Sequence, residues 1–266
     1  MSTLKTRHAG VALLAALALA AALGPTLVGL DPAAQQLSRS LMPPSAADPL
    51  GTDLFGRSVL ARLAEAAQLS LQLAVLSALG ALAVGTLLGV LAAWRGGAVA
   101  QGLGMLADAA QATPGLLLVL LCAALAPGQL WALYLGLALA QWVECYRVAR
   151  AVAQPVLAGS AVEAARLLGL GRGHVLRHHL GPALLPVLGR LLPLGAAQAV
   201  LSLAALGFIG VGPQPPRAEL GLLMTEALPH YAEAPWLLAA PVALLACLVL
   251  GLWLIQPGKE ADDDNR

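Results

Sequence analysis

Few residues in this chain are placed to do chemistry, and those few stand out against an apolar background. Asp108 and Glu144 lie inside long apolar stretches, where a charge at mid-bilayer costs about 2.5–3.5 kcal/mol on insertion scales. Two readings follow: a proton- or ion-coupling carboxylate, or a structural charge held by a basic neighbour. Glu144 precedes Arg147 by three residues, the spacing of an intrahelical pair. His174 and His178 are four apart with His179 adjacent, but no carboxylate or cysteine stands at ligand spacing, so a solvated basic helix is expected and no metal site. Cys122, Cys145 and Cys247 sit in apolar segments without redox or metal spacing and read as small core hydrophobes. There is no Walker-type loop, Gly-x-Ser-x-Gly elbow or His-Glu-x-x-His helix. The chain is therefore expected to be no enzyme and to bind no cofactor itself.

The longest polar interruption of the second half runs over residues 160–182. Ser160 and Glu163 have the spacing of a capping box, which predicts a helix from Ala161. Gly169 then supplies the left-handed closure after about two turns. A second, basic piece from His174 to His179 follows, so two short helices joined by glycines would form a compact knob between apolar segments.

Those apolar segments decide the class. The 266 residues are 59% hydrophobic and only 11% charged, with a mean hydropathy of +0.80, whereas soluble domains carry about a quarter charged residues. The chain reads as a single all-α, polytopic membrane domain over 1–266, with the lipid bilayer as its surroundings. No basic face interleaved with aromatics supports nucleic-acid binding. The uncharged run 9–30 is long enough to cross a core of about 30 Å; the small residues near its end also permit a cleaved signal peptide. A proline-rich outer loop covers 31–66, within which Leu54, Phe55, Val59 and Leu63 share a helical face opposite Arg57 and Arg62, the pattern of a helix lying along the interface. A five-span core is expected over 67–256, with spans at 67–94, 103–126, 129–152, 182–208 and 235–256, making about six in all, and a tail at 257–266. Gly85 and Gly89 predict close helix packing in the second span, and Pro114 a tolerated kink in the third.

Orientation follows from the fifteen lysines and arginines. With the N-terminus inside, only Arg39, Arg57, Arg62 and Arg217 face outward, so both termini and the 160–182 knob are expected in the cytoplasm.

The residues so far resemble the inner-membrane permease subunits of ATP-binding-cassette (ABC) importers for dipeptides, oligopeptides and nickel. The similarity is carried by Glu163-Ala164-Ala165-Arg166-Leu167-Leu168-Gly169 with Pro182 further on. It is also carried by Gly51-Thr52-Asp53 with Gly56-Arg57, by Trp142 with Arg147 and Arg150, and by the run from Gly207 to Pro216. It covers about residues 49–224. The chain departs from the family pattern in lacking charges at 156–160, in Gly181 before the proline, in Leu220 where tryptophan is usual, and in its polar ending. The resemblance implies the type I ABC importer permease fold with a cytoplasmic coupling-helix loop, in the plasma membrane. It implies an ATPase-coupling role for Ser160, Glu163, Ala164, Ala165, Arg166, Gly169 and Pro182. Implied partners are a second permease subunit, two ATP-binding subunits that hold ATP-Mg, and an extracytoplasmic solute-binding protein; the implied cargo is peptide, nickel or a metal chelate. The alternative is an ion-coupled secondary transporter using Asp108 and Glu144.

Overall fold

A computed structural model describes residues 2–28 and 31–256. The polar ending 257–266 lies outside the described residues, as do the last two residues of the expected first span. Helices account for nearly all of the regular structure: α1 Ser2–Val28, α2 Val59–Arg95, α3 Gly97–Ala112, α4 Gly115–Leu125, α5 Leu130–Ala158, α6 Ser160–Leu167, α7 Arg172–Val175, α8 Gly181–Phe208, α9 Leu220–Ala227 and α10 Trp236–Leu254. A π turn over Leu176–Leu180 joins α7 to α8. The only pairing of strand type among the described residues is an isolated bridge between Thr52 and Ser58.

Length and apolarity alone qualify three helical runs as membrane crossings: α2, the continuous run Arg172–Phe208, and α10. A fourth is α3 with α4, bent by 83°. The six expected spans are thus not all straight apolar rods. Helix α5 has 29 residues, but Gln141, Glu144, Arg147 and Arg150 dilute its apolarity. The described apolar part of α1 is only Arg7–Ala21. At Pro114 the expected kink is a full break. Thr113, the residue before the proline, is extended at φ −91°, ψ 126°, because the proline ring clashes with a helical predecessor.

The outer loop differs from expectation too. Residues 54–57 form a turn, and α2 begins at Val59, so no helix lies along the interface there. Arg57 and Arg62 are buried rather than set against solvent. They pair with Asp53 of the same loop and with Glu226 of α9, and the second of these partners is one that a helical face drawn from local sequence does not include.

Helix α2 packs along α5 with almost no side chain between the backbones. A Cβ on Gly85 would stand 2.5 Å from the Trp142 carbonyl oxygen and from the Cys145 Cβ; one on Gly89 would stand 2.5 Å from the Tyr146 carbonyl oxygen. The expected small-residue seam is therefore present. Nearer the start of α2, Leu73, Ala74 and Ala78 join Leu137 of α5 and Ala196, Val200 and Leu203 of α8 in the main core. Alanines are as numerous as leucines in this core, because lipid tails are as apolar as leucine, leaving close backbone approach and dispersion to hold helices together.

Gly89→Val is expected to destabilise the protein by about 1–3 kcal/mol through overpacking against immobile backbone. Gly102→Ala, where nothing lies within 4 Å of the added carbon, is expected to be neutral or to stabilise by up to about 1 kcal/mol. Thermal unfolding in lipid nanodiscs separates the two; equal midpoints would refute the seam.

Candidate functional site

The 160–182 region folds as an elbow at the end of α5. Its first helix does not use the expected capping box. Gly159 is the N-cap, Ser160 is already helical, and no side-chain cap bond forms; the Val162 and Glu163 amides are satisfied by the Gly159 carbonyl instead. Gly159 is extended at φ −76°, ψ 151°, which moves the cap one residue upstream. Glu163 is left exposed in the first turn, where a carboxylate favours the helix dipole. The C-terminal expectation holds in detail. Gly169 has φ +75°, its amide donates to the Arg166 carbonyl, and the Leu170 amide donates to the Ala165 carbonyl, the paired bonds of a Schellman closure.

The second half of the elbow is not a separate helix. From Arg172 to Phe208 the chain runs as one rod. Pro182 cannot donate to a carbonyl one turn back and its ring crowds that carbonyl; the wider π turn just before it accommodates both defects. Val162 of α6 packs with Leu157, Val175, Leu180 and Leu184, so the elbow has its own small core joining α5 to α8. Ala165 also turns inward and is buried, so it is Ala164 alone of the alanine pair that is presented outward. Leu167 and Leu168, 84% and 76% exposed, form the apolar part of the outer surface. Sequence reasoning passed over these two, although leucines in a polar interruption are a usable signal. The His174 and His178 rings stack with centroids 4.2 Å apart, and among the described residues no metal-holding group of three or more such side chains assembles.

At the opposite end of α2, the Gly51-Thr52-Asp53…Gly56-Arg57 motif builds a clamp. Gly51 and Gly56 hold φ +72° and +69°, where side chains are disfavoured. Thr52 accepts the Met42 amide at 3.0 Å through its hydroxyl and donates to the Arg39 carbonyl. Asp53 accepts the Phe55 and Arg57 amides, each at 2.9 Å, on one oxygen. Its other oxygen accepts Arg57 Nε at 2.6 Å and Arg62 Nη1 at 2.9 Å. Glu226 of α9 completes the set, 2.5 Å from Arg62 Nη1 and 3.4 Å from Arg57 Nη2. Two arginines and two carboxylates make the cluster neutral, and Arg62 is only 1% exposed. Arg62 and Glu226 are 164 residues apart, and no local signal in the sequence links them.

The charges of α3 and α5 pair differently from expectation. Arg147 donates to Asp108 at 2.7 Å, across from α5 to α3, and not to Glu144. Glu144 is exposed and makes no hydrogen bond or ion pair among the described residues. On the neighbouring flank, Gln141 of α5 and Gln198 and Ser202 of α8 line a cavity of about 350 Å³ shared with α4. Sequence reasoning did not single out these three, since isolated glutamines in apolar helices look the same whether they face a core or a cavity.

Glu219, in the loop before α9, is fully buried. One carboxylate oxygen accepts the Leu222 amide at 3.0 Å, and the other has no partner. Burial pushes its pKa up from 4.5 to about 7, against the backbone amides of Gly221, Leu222 and Leu220, which favour the charged form.

Two outcomes test this geometry. Asp53→Ala removes the acceptor shared by both arginines and is expected to cost about 3–5 kcal/mol, whereas replacing Arg62 and Glu226 together by Met and Leu costs far less; unfolding midpoints of the variants decide. Because the folded state holds the Glu219 proton more tightly than the unfolded one, its contribution is complete below about pH 4.5 and is lost as pH rises through about 7. Melting curves between pH 5 and 8 are expected to show a loss that Glu219→Gln removes.

Residues 85–256 match the family described as binding-protein-dependent transport system inner membrane component. The chain is 30% identical over 250 residues to the dipeptide transport system permease protein DppC of Alkalihalophilus pseudofirmus, covering 94% of this chain and 82% of that protein. It is 32% identical over 234 residues to the probable D,D-dipeptide transport system permease protein DdpC of Escherichia coli, covering 88% and 78% respectively. A putative peptide transport system permease protein of Brucella suis is 31% identical over 252 residues, covering 94% and 84%. With a matched region that contains the α2–α5 seam, the elbow and the polar flank, the chain belongs to the inner-membrane permease components of binding-protein-dependent ABC importers, in their dipeptide and oligopeptide branch.

Proposed function

We propose that this chain is one of two permease subunits of an ABC importer for di- or oligopeptides, and that it transmits ATPase motion to the membrane through the 160–182 elbow. The observation that carries the reading is the continuity of the elbow with a spanning helix, from Arg172 to Phe208 without a break. A displacement of the elbow moves α8 as a rigid body, which is what switching between inward- and outward-open states requires. ATP-Mg is bound and hydrolysed by two cytoplasmic ATPase subunits. An extracytoplasmic binding protein delivers the cargo at the clamp end of α2. Both termini are cytoplasmic in this reading, supported by the arginines gathered at the elbow end.

Docking rests on Leu167, Leu168 and Ala164, with Glu163 and Arg166 at the rim and Gly169 setting the direction of the exit. Ser160 has no capping bond and contributes little. Pro182 acts through the π turn that it follows. The flank bearing Gln141, Gln198 and Ser202, together with Glu144 and the Asp108–Arg147 pair, faces the passage shared with the second permease subunit, where water or cargo satisfies polar groups that lipid cannot. Peptide is favoured over nickel because the relatives carry peptide in their names. An ion-coupled carrier is disfavoured because Asp108 is neutralised by Arg147.

The test is a Leu167→Asp/Leu168→Asp variant in the assembled importer. Membrane insertion is expected at the wild-type level, with ATPase co-purification and ATP-driven peptide uptake reduced at least about tenfold, because a buried apolar contact would be replaced by unpaired charge. Ser160→Ala is expected to leave both unchanged. Full uptake and retention in the double variant would overturn the proposal.

A further inference from the structure

A groove at the elbow end of α2 is used by nothing described so far. It is a cavity of about 330 Å³ between the last turns of α2 and the start of α7, within the size range of small-ligand sites. Arg95, the last residue of α2, and Arg172, the first of α7, both line it. Neither makes a hydrogen bond or ion pair among the described residues, and no carboxylate lines the groove. Leu91 and Leu87, one and two turns earlier on α2, line it too, with Trp94 beside Arg95 and Leu176 on the elbow side. Leu87 is 71% exposed. At 1.5 Å per residue, Leu87 lies about 12 Å along the α2 axis from Arg95. The groove therefore changes from doubly cationic to wholly apolar over about the distance from a phosphate to the middle of one bilayer leaflet, with a tryptophan at the level where such rings settle.

We propose that this groove holds an anionic phospholipid, its phosphodiester between Arg95 and Arg172 and the upper part of an acyl chain along Leu87 and Leu91. Charge complementarity selects the occupant. Two unpaired guanidiniums at the membrane surface lack a counter-ion, and a headgroup phosphate supplies one with bidentate geometry. The apolar end suits an acyl chain of the same molecule, which free phosphate does not have. Because headgroups line both faces of the membrane, the inference is independent of which side the elbow occupies and of the ATPase docking proposed above. Bound there, the lipid bridges the end of α2 to the elbow.

The experiment reconstitutes the assembled importer in nanodiscs containing phosphatidylcholine and phosphatidylglycerol and counts retained lipids by native mass spectrometry. Wild type is expected to retain phosphatidylglycerol in preference to phosphatidylcholine. Arg95→Gln/Arg172→Gln, which breaks no hydrogen bond or ion pair, is expected to lower that preference about 30-fold. Arg177→Gln, an exposed arginine outside the groove, is expected to keep it. Excess inorganic phosphate is expected not to displace the lipid, and a photo-reactive side chain at Leu91 is expected to capture lipid. No preference in wild type, a preference that survives the double substitution, or one that Arg177→Gln abolishes equally would overturn the assignment. So would displacement by phosphate, or capture of the second permease or an ATPase subunit at Leu91.

Discussion

The near-contact of two helix backbones, α2 against α5 at Gly85 and Gly89, is the constraint on which the other features depend. In lipid there is no water to expel from between helices, so adhesion must come from dispersion over a tightly matched surface. The matched surface is long: Trp142, Cys145, Tyr146 and Ala149 all meet α2 across the two glycines. The outer clamp hangs from the N-terminal end of α2 and the elbow from the C-terminal end of α5. One seam therefore sets the spacing between the part that meets the extracytoplasmic side and the part that meets the motor, in the proposed orientation.

The two ends solve different problems. The clamp buries three charges and half-buries a fourth, Glu226, where a few apolar residues would do, and burial of ions is a poor way to gain stability. What it achieves is register. Asp53 has one oxygen committed to two backbone amides and the other to two guanidiniums, so the loop over 51–58, the start of α2 and Glu226 on α9 can meet in only one arrangement. The loop's own backbone bonds, with the Leu41 amide donating to the Asp53 carbonyl and the Thr52 amide to the Met42 carbonyl, hold its two arms together, and the ionic cluster ties the loop to α9.

The elbow, by contrast, is stiff because of its covalent continuity with α8 and its small apolar core. Val162, Val175 and Leu180 are almost completely buried, although the outward faces of both halves are among the most exposed surfaces of the chain. A π turn placed immediately before Pro182 lets a helix pass through a residue that would otherwise break it. A lever needs both properties: a rigid connection to the load and an outward surface free to engage a second body.

The all-α membrane class, the approximate positions of most long helices, the glycine seam and the left-handed closure at Gly169 were legible in the residues themselves. Each rests on a local rule: twenty or so apolar residues, a four-residue repeat of small side chains, or a residue without Cβ where φ must be positive. The partners of the charges were not. Arg147 chose Asp108 over the nearer Glu144, Arg62 chose a carboxylate 164 residues away, and Ser160 lost its cap because Gly159 turned extended one position early. Pro114 broke outright a span in which the sequence called for no more than a kink. Electrostatic pairing in a bilayer depends on which helices are neighbours and how deep each side chain lies. Neighbour and depth are set by packing, and only the folded chain holds that information.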